Sequence, residues 1–461
     1  MTSASKSDTI SLGVVRPEMR LKKLKITESI ESYTQALPSL RQARFGSYLI
    51  LPFQTEEGRF QADWADRTFT PRDVTTVDLN EIARSMMSRD GTMRVGSCWL
   101  IPRGVLLREI ARIPENPRSF HVSGAETDRT FSLTDSWLYV FRSGVAFLAL
   151  GVMFDQIETL ADIVNLGGVG SRAAFSFEDA GGRHAFAFED WIDTFTAKVG
   201  LQRFFGGRSD PFLDVFTETL AVVPERFADP DVMKQAAFNL HLMIPFDNPI
   251  TDNSEEDVRF VYAKIGEVSR TYRWASCITS QTESYIVADP EMDLDKQIKT
   301  RARAGLPIVM LALYEKYTCL HYTEVIAATD LKHLDQIGKL KMRMLEFQAY
   351  GTLAPANLSR WHNIRLIYGA LLEVNDIPAA IADVDRKISI LSEHQAALSA
   401  QRAAMLSNLI TAFGIISILA SVLSIIDILI GGSIAIWASL ILTSILLFLV
   451  FLLAFFRKKR E

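Results

Sequence analysis

The sequence predicts a cytosolic α/β domain, followed by a helical region, a long stalk helix and a C-terminal hairpin of two transmembrane helices. Three observations predict this fold class. Residues 403–456 carry a single charge, Asp427, and divide into two apolar runs. Residues 1–400 carry charges throughout, as a water-soluble domain does. Residues 379–426 contain no proline and only one glycine, so one helix can run from the soluble part into the first apolar run.

Each apolar run is long enough to cross a bilayer. The first span, residues 403–426, and the second, residues 434–456, both exceed the roughly 20 residues that a helix needs to cross about 30 Å of hydrocarbon. Residues 427–433 form the predicted outer loop, whose two glycines tolerate the positive φ of a tight reversal. The basic tail, residues 457–461, predicts a cytoplasmic C terminus, because positive residues remain on that side. With two spans, both termini are cytoplasmic, and the protein is expected in the cell inner membrane.

The first span carries a stripe of small and polar residues. The members of this polar stripe are Ser407, Thr411, Gly414, Ser417, Ser421 and Ser424. Their spacings of three and four residues place them on one broad helical face. Such a stripe fits either a close-packed helix interface or the wall of a water-filled pore in an oligomer. Asn408 and Arg402 lie at the cytoplasmic entrance. Asp427 lies at the outer mouth, where its carboxylate either attracts cations or is simply solvated.

The stalk, residues 377–402, carries a heptad pattern. Apolar residues recur in alternating steps of four and three from Ile377 to Leu409, with Gln395 and Arg402 as polar members. This heptad seam needs a helical partner, which is either the same helix of another subunit or a neighbour in the same chain. The stalk joins the cytosolic part rigidly to the first span, which favours transmission of movement over passive anchoring.

The cytosolic α/β domain is predicted over residues 1–290, and the helical domain over residues 291–376. The clearest strands form a hairpin at 135–154, with a turn at its Arg-Ser-Gly sequence. A short helix is expected over 156–165, and a further strand over 236–244. The three cysteines are far apart and are expected as reduced thiols.

Catalytic and ligand motifs are weak. The seven histidines form no metal spacing, and no catalytic constellation is legible, so no enzyme is predicted. Two glycine-rich loops lack the spacing of a phosphate-binding loop, and ordinary turns are favoured. Arg172 and Arg208 in these loops either bind an anionic ligand or are solvated. The net charge of −5 gives no global sign of nucleic-acid binding, and no direct contact with nucleic acid is expected.

The helical segments and the hairpin resemble the CorA family of divalent-cation transporters and channels. The matching stretches are IVMLALYEKYTCLHYTEVI (308–326) and LEFQAYGTLAPANLSRWHNIRLIYGALLEVNDIPAAIADV (345–384), followed by the stalk, the two spans and the basic tail. The resemblance covers residues 285–461, with a looser α/β match before them. It implies a homopentamer in the lipid bilayer, in which the first span lines the pore and the second surrounds it. It therefore favours a pore-lining role for the polar stripe.

One departure limits what the resemblance implies. Family members usually carry Gly-Met-Asn at the outer end of the first span, and here that position reads Ser424-Ile425-Ile426-Asp427. Magnesium selectivity is therefore not carried over. A divalent cation, Mg²⁺ or another, is the only cofactor that the resemblance implies, and no metal-binding residue is assigned.

Three functions follow as expectations. The first is a CorA-like cation channel or transporter gated by the cytosolic domain through the stalk. The second is a membrane effector gated by a small nucleotide messenger, since the chain also resembles CorA-like proteins associated with type III CRISPR systems in anti-phage defence. The third is a non-conducting membrane scaffold.

Overall fold

The computed structural model describes residues 26–430, Trp437 and Ser444, with gaps at 56–58, 92–93, 114–116, 123–128, 169–173, 249–261, 269–270, 290, 292 and 330–333. The strands are β1 (Arg44–Gln54), β2 (Thr70–Arg72), β3 (Gly96–Ile101), β4 (Phe120–Val122), β5 (Arg129–Leu133), β6 (Ser136–Phe141), β7 (Val145–Phe154), β8 (Phe175–Asp179), β9 (Gly182–Phe186), β10 (Phe216–Val223), β11 (Tyr262–Val268), β12 (Thr271–Ile278) and β13 (Thr282–Ala288).

Helices are interspersed with the strands and then take over the chain. They are α1 (Ile26–Leu40), α2 (Ala62–Thr68), α3 (Glu81–Met86), α4 (Arg103–Val105), α5 (Ile157–Leu166), α6 (Phe188–Val199), α7 (Phe204–Gly207), α8 (Pro230–His241), α9 (Leu294–Ala304), α10 (Leu306–Ala328), α11 (Leu334–Glu346), α12 (Pro355–Leu358), α13 (His362–Val374) and α14 (Ile377–Ile430). Two π-helical turns occupy Leu106–Ala111 and Phe347–Gly351.

The described strands form one mixed sheet with β1 and β7 near its centre. β1 is antiparallel to both β7 and β10, and β10 is parallel to β13. Along its other edge, β7 pairs with β6 near its start and with β5 near its end. The sheet therefore divides into two branches at the β5–β6 connection. One branch continues through β4, β8 and β9, and the other through β3 and β2.

Both faces of the sheet are covered. Alternate residues of a strand point to opposite faces. Leu49 and Leu51 of β1 join a large apolar core that includes residues of α1, α5, α6 and α8. Gly46, on the other face of β1, meets α9: a Cβ at residue 46 would lie 2.0 Å from Ile298 Cδ1. The absence of a side chain at Gly46 therefore lets α9 pack directly on the strand.

The predicted hairpin and short helix agree with the structure, and the further predicted strand is wrong. The predicted hairpin is β6–β7, and the predicted short helix is α5. The three cysteines are free and buried. Residues 236–244 were predicted as a strand, but the segment up to His241 lies in α8. Asp229 caps this helix, because its Oδ1 accepts a hydrogen bond of 2.9 Å from Asp231 N, and Pro230 occupies the first turn.

The chain groups into two compact units. The first unit contains residues 1–321 and 347–380, and the second contains residues 322–346 and 381–461. The last described strand, β13, ends at Ala288, and α9 begins at Leu294. The helices up to residue 321 belong to the same compact unit as the sheet.

The predicted stalk and first span form one helix, α14, of 54 residues. It continues past the predicted end of the span to Ile430, so the segment predicted as the outer loop begins in helix. The remainder of that loop, the predicted second span and the basic tail lie outside the described residues, apart from Trp437 and Ser444.

The heptad seam has a partner in the same chain within the second unit. Val384 and Ile388 are buried, at 1% and 2% exposure. Lys341 Nζ of α11 donates a hydrogen bond of 3.1 Å to Ser392 Oγ of α14, so the two helices lie side by side there. Further along the seam, Leu398 is half-buried and Arg402 is exposed. Among the described residues, the seam is therefore covered most completely at its N-terminal end.

Candidate functional site

One helix of the described residues, Ile377–Ile426, is long enough and apolar enough to cross a membrane. Its most apolar part is not buried within the described part of the structure, and Ile410 and Ile418 are 71% and 65% exposed. Exposed apolar surface on this scale marks contact with lipid or with another protein. Length, composition and exposure are therefore consistent with membrane association.

All six residues of the polar stripe are exposed on α14. Thr411 Oγ1 donates to Ser407 O at 2.8 Å, and Ser421 Oγ donates to Ser417 O at 2.9 Å. These bonds to the preceding helical turn satisfy the hydroxyl protons inside the helix. The hydroxyl oxygens keep free lone pairs, so the face can meet either a neighbouring helix or water.

The polar stripe lies on the face of α14 opposite the continuation of the heptad seam. In the apolar half of the helix the half-buried positions are Met405, Ala412, Ile416 and Leu423, which keep the heptad spacing. At 3.6 residues per turn, the middle of the stripe lies roughly 165° around the helix from the middle of these positions. The small polar side chains thus lie on the side of the helix away from its half-buried positions.

The other predicted pore residues are placed only in part. Arg402 and Asn408 are exposed on α14, next to the start of the apolar half. Asp427 belongs to the last turns of the helix, and its side chain lies outside the described part of the structure. Arg402, the polar stripe and Asp427 therefore belong to a single helix.

A cavity of about 660 Å³ opens on the face of the sheet that α9 covers. Its aromatic lining comes from Tyr48, Trp137 and Tyr139, which are almost fully buried in β1 and β6. Lys299 and Arg303 of α9 contribute positive charge. The side-chain N–H of Trp137 is buried and makes no well-directed hydrogen bond. We call this space the aromatic cavity.

A second cavity, of about 420 Å³, shares Tyr48, Asp135 and Lys299 with the first. We call it the arginine cavity, because its lining includes the side chains of Arg44, Arg103 and Arg118. The hydroxyl-bearing residues Ser132 and Thr134 also line it. Both cavities are lined by Asp135 of the β5–β6 connection, where the sheet divides into its two branches.

The approach of this connection to β7 depends on one glycine. Thr134 N donates a hydrogen bond of 2.8 Å to Gly151 O, and Gly151 N donates to Ser136 Oγ at 3.2 Å. A Cβ at residue 151 would lie 2.1 Å from Thr134 Oγ1 and 3.2 Å from Tyr48 Cε1. Gly151 therefore leaves the space in which the connection and the Tyr48 ring lie together.

The two cavities together carry an excess of positive charge. Six basic residues line them, namely Arg44, Arg72, Arg103, Arg118, Lys299 and Arg303. Three carboxylates line them, namely Asp73, Asp135 and Asp295. Within the described part of the chain, none of the six basic side chains forms an ion pair. A local charge of about +3 in a chain with a net charge of −5 favours an anionic ligand.

Arg103 is the most enclosed of these cations. Its Nη2 donates to Pro117 O, and its Nε is buried without a hydrogen-bond partner. Partial burial lowers the pKa of Arg103, although the guanidinium stays charged at neutral pH. The backbone N of Arg103 donates a hydrogen bond of 3.0 Å to Asp135 Oδ1. This bond uses an oxygen of one of the three carboxylates that line the cavities.

A buried charge cluster fixes α9 to the sheet beside the aromatic cavity. Arg301 lies 2.7 Å from Glu218 Oε1 and 2.9 Å from Glu283 Oε1, and its guanidinium carbon lies 4.8 Å from the centre of the Tyr285 ring. Burial, together with the like charge of Glu283, raises the pKa of Glu218 well above its usual range, although Arg301 opposes this. A Cβ at Gly305 would lie 2.7 Å from Glu218 Oε1, so the cluster also needs a glycine there.

Of the two predicted ligand residues, the described one, Arg208, lines neither cavity. Arg172 lies outside the described residues, and Arg208 is exposed after the short helix α7. In the described part of the chain, no group of three or more His, Cys, Asp or Glu side chains could hold a metal ion. The cavity residues are not evident from the sequence because they come from six strands, the connections between strands and α9. Lys299 and Arg303, four residues apart on one helix, were the only local signal.

Three comparisons with known proteins complete the description. Neither the protein-family models, nor the curated proteins, nor the solved structures contain a match to this chain.

Proposed function

We propose that the protein is an oligomeric cation channel or transporter of CorA-like plan, whose cytosolic domain controls conduction through α14. The observation that carries the proposal is the unbroken helix of 54 residues. At 1.5 Å per residue it is roughly 80 Å long. A helix bends sharply only at a proline, a π-bulge or a similar defect, and α14 has no proline after Pro378. A displacement at its cytosolic end therefore reaches its apolar half.

Conduction would require several copies of the chain. One or two helices in each copy cannot enclose a water-filled path alone. Copies that turn the polar stripe inwards would line a path with hydroxyl groups and leave their apolar faces to lipid. The resemblance to CorA proteins suggests five copies, with the predicted second span outside the first. Asp427 would then add a ring of carboxylates near the outer end.

A ligand-gated effector is the second candidate function, and the two cavities favour it. Their excess of unpaired positive charge suits an anionic messenger. α9 lines both cavities and packs on the sheet. α10 begins immediately after α9, at Leu306, so a shift of α9 would act directly on the helical region. A membrane scaffold without conduction is the third possibility, and it needs neither the cavities nor the exposed stripe.

Ion flux into liposomes that contain the purified full chain tests these functions. We expect flux of Mg²⁺ or another divalent cation, and an empty liposome sets the background. Flux without any added ligand would support the channel or transporter. Flux only after addition of a nucleotide on the cytosolic side would support the effector. Absence of flux under both conditions, in liposomes shown to contain the oligomer, would contradict both and leave the scaffold.

A further inference from the structure

The aromatic cavity and the arginine cavity divide two kinds of chemistry between them. The first offers Tyr48, Trp137 and Tyr139, whose rings suit the flat face of an aromatic ligand. The second offers three arginines and two hydroxyl-bearing residues, which are the groups that bind phosphate oxygens. The two cavities share Tyr48, Asp135 and Lys299 in their linings, so a ligand that extends past these side chains can occupy both.

The size of the cavities fits one small ligand. Ligand sites in proteins usually enclose about 300–1,000 Å³. The aromatic cavity, about 660 Å³, and the arginine cavity, about 420 Å³, each lie within this range. A single phosphate ion would leave the aromatic lining unused, and a neutral ring would leave the cations unpaired.

The unpaired cations give the second, independent indication. A buried or half-buried positive charge without a counter-charge is unfavourable, and it is stabilised when an anion binds. Arg103 is such a charge, because its Nε is buried without a hydrogen-bond partner. Two further arginines, Arg44 and Arg118, line the same cavity. Asp135, a carboxylate that lines the same cavity, already accepts a hydrogen bond from the Arg103 backbone.

We infer that the two cavities together bind a nucleotide, with its base in the aromatic cavity and its phosphates in the arginine cavity. Lys299 lines both cavities and would contact the ligand where base and phosphates join. The inference rests on the proposed function for its regulatory role, since it names the ligand class that would act on α9. The binding itself does not depend on conduction.

Isothermal titration of the full chain in detergent tests the site. The probes are ATP, cyclic di-AMP and a linear triadenylate, with tripolyphosphate as phosphates without a base and adenosine as a base without phosphates. We expect at least one of the three nucleotides to bind more tightly than both partial probes. No nucleotide binding at about 1 mM would overturn the inference. Equal affinity for tripolyphosphate would overturn the role of the aromatic cavity.

Two substitutions locate the binding. Arg103→Gln and Arg118→Gln each remove one charged donor, and each should weaken nucleotide binding about tenfold or more. Arg208→Gln is the matched control, because Arg208 is exposed and lines neither cavity. Arg118 is also exposed, so its replacement is compatible with folding. Unchanged affinity in Arg118→Gln and Arg103→Gln, or an equal loss in Arg208→Gln, would place the ligand elsewhere.

The binding and flux experiments fail separately. Nucleotide binding without ion flux in any condition would refute the channel proposal and leave the nucleotide site in place. Ion flux from a protein that binds no nucleotide, and whose flux no nucleotide changes, would refute the nucleotide site and leave the channel proposal in place.

Discussion

Tyr48 and Glu218 lie directly opposite each other in the antiparallel pairing of β1 and β10. Glu218 in turn lies opposite Glu283 in the parallel pairing of β10 and β13. The aromatic cavity and the buried charge cluster are therefore neighbours in one row across the sheet. α9 covers this row, with Arg301 directed to the carboxylates and Lys299 lining the cavity. A change at the cavity is thus adjacent to the contacts that hold α9.

Replacement of Arg301 should destabilise the fold strongly. Arg301→Met would leave the buried Glu283 carboxylate without its counter-charge, and the loss of one partner of a buried ion pair costs about 3–5 kcal/mol. Glu218→Gln is the control of similar shape. Because its pKa is raised by burial, Glu218 loses less charge interaction on replacement, and a much smaller effect is expected. Thermal unfolding of both variants in detergent measures the difference; equal losses would contradict the assignment of charges.

Glu315 should make stability depend on pH. Its Oε1 accepts hydrogen bonds from Tyr368 OH at 2.6 Å and from Leu353 N at 3.1 Å. Burial raises the pKa of Glu315 from 4.5 to about 7, although both bonds oppose the shift. The folded protein thus holds a proton that the unfolded chain releases between these values. The stability that this proton provides is present below pH 4.5 and is lost as pH rises through 7.

The matching variant is Glu315→Gln, which cannot titrate. Melting temperatures between pH 5 and pH 8 should fall less with pH in this variant than in the unchanged chain, and the difference corresponds to at most about 3 kcal/mol. Parallel pH profiles for the two proteins would show that Glu315 has an ordinary pKa.

Gly151 should tolerate no side chain. Gly151→Ala would place its Cβ against Thr134 Oγ1 and the backbone of Asp135, and overpacking of this kind costs about 1–3 kcal/mol. Gly104→Ala is the control, since a Cβ at residue 104 meets no atom within 4 Å. Thermal unfolding should separate the two variants. A melting temperature of Gly151→Ala equal to that of Gly104→Ala would mean that the β5–β6 connection moves freely.

Bulk on the polar stripe should stop conduction. Ser417→Leu and Ser421→Leu would each add an apolar side chain to the proposed pore wall, and apolar constrictions exclude water and ions. Ala420→Leu adds similar bulk to the same helix outside the stripe. Liposome flux should disappear in the serine variants and persist in Ala420→Leu, while cross-linking shows the same oligomer in all three. Normal flux in both serine variants would refute the pore-lining role.

The charge of Asp427 should act through space. Asp427→Asn should lower cation flux at low ionic strength, where screening is weak, and should matter less at about 1 M salt, where the Debye length is about 3 Å. Flux that is unchanged at low ionic strength would remove Asp427 from the conduction path.

Local patterns in the sequence predicted local structure well. The hairpin β6–β7 was predicted because its turn residues lie between two runs of aromatic and branched side chains. The prediction of a strand at α8 is wrong because it rests on the apolar residues around Ala236 alone. It does not use the helix-start signal that precedes them. Asp229 and Pro230 are that signal, and they show that the apolar residues form one face of a helix.

The cavities could not be predicted in the same way. Arg44, Arg118 and Arg303 are separated by long stretches of chain, and only the order of strands in the sheet brings them to one place. Their positive charge is also hidden in the overall composition, because the chain as a whole is acidic. The polar stripe was found because all its members lie within one helix.

The unbroken course of α14 fixes an angular phase between its two patterns. The heptad seam and the polar stripe share one helix, so only the number of residues between them sets their relative rotation. One residue inserted after Arg402 would lengthen the helix by about 1.5 Å but would turn the stripe by about 100° relative to the seam. Seven inserted residues would restore the phase to within about 20°. The number of residues in the stalk thus sets the direction in which the polar stripe faces relative to the heptad seam.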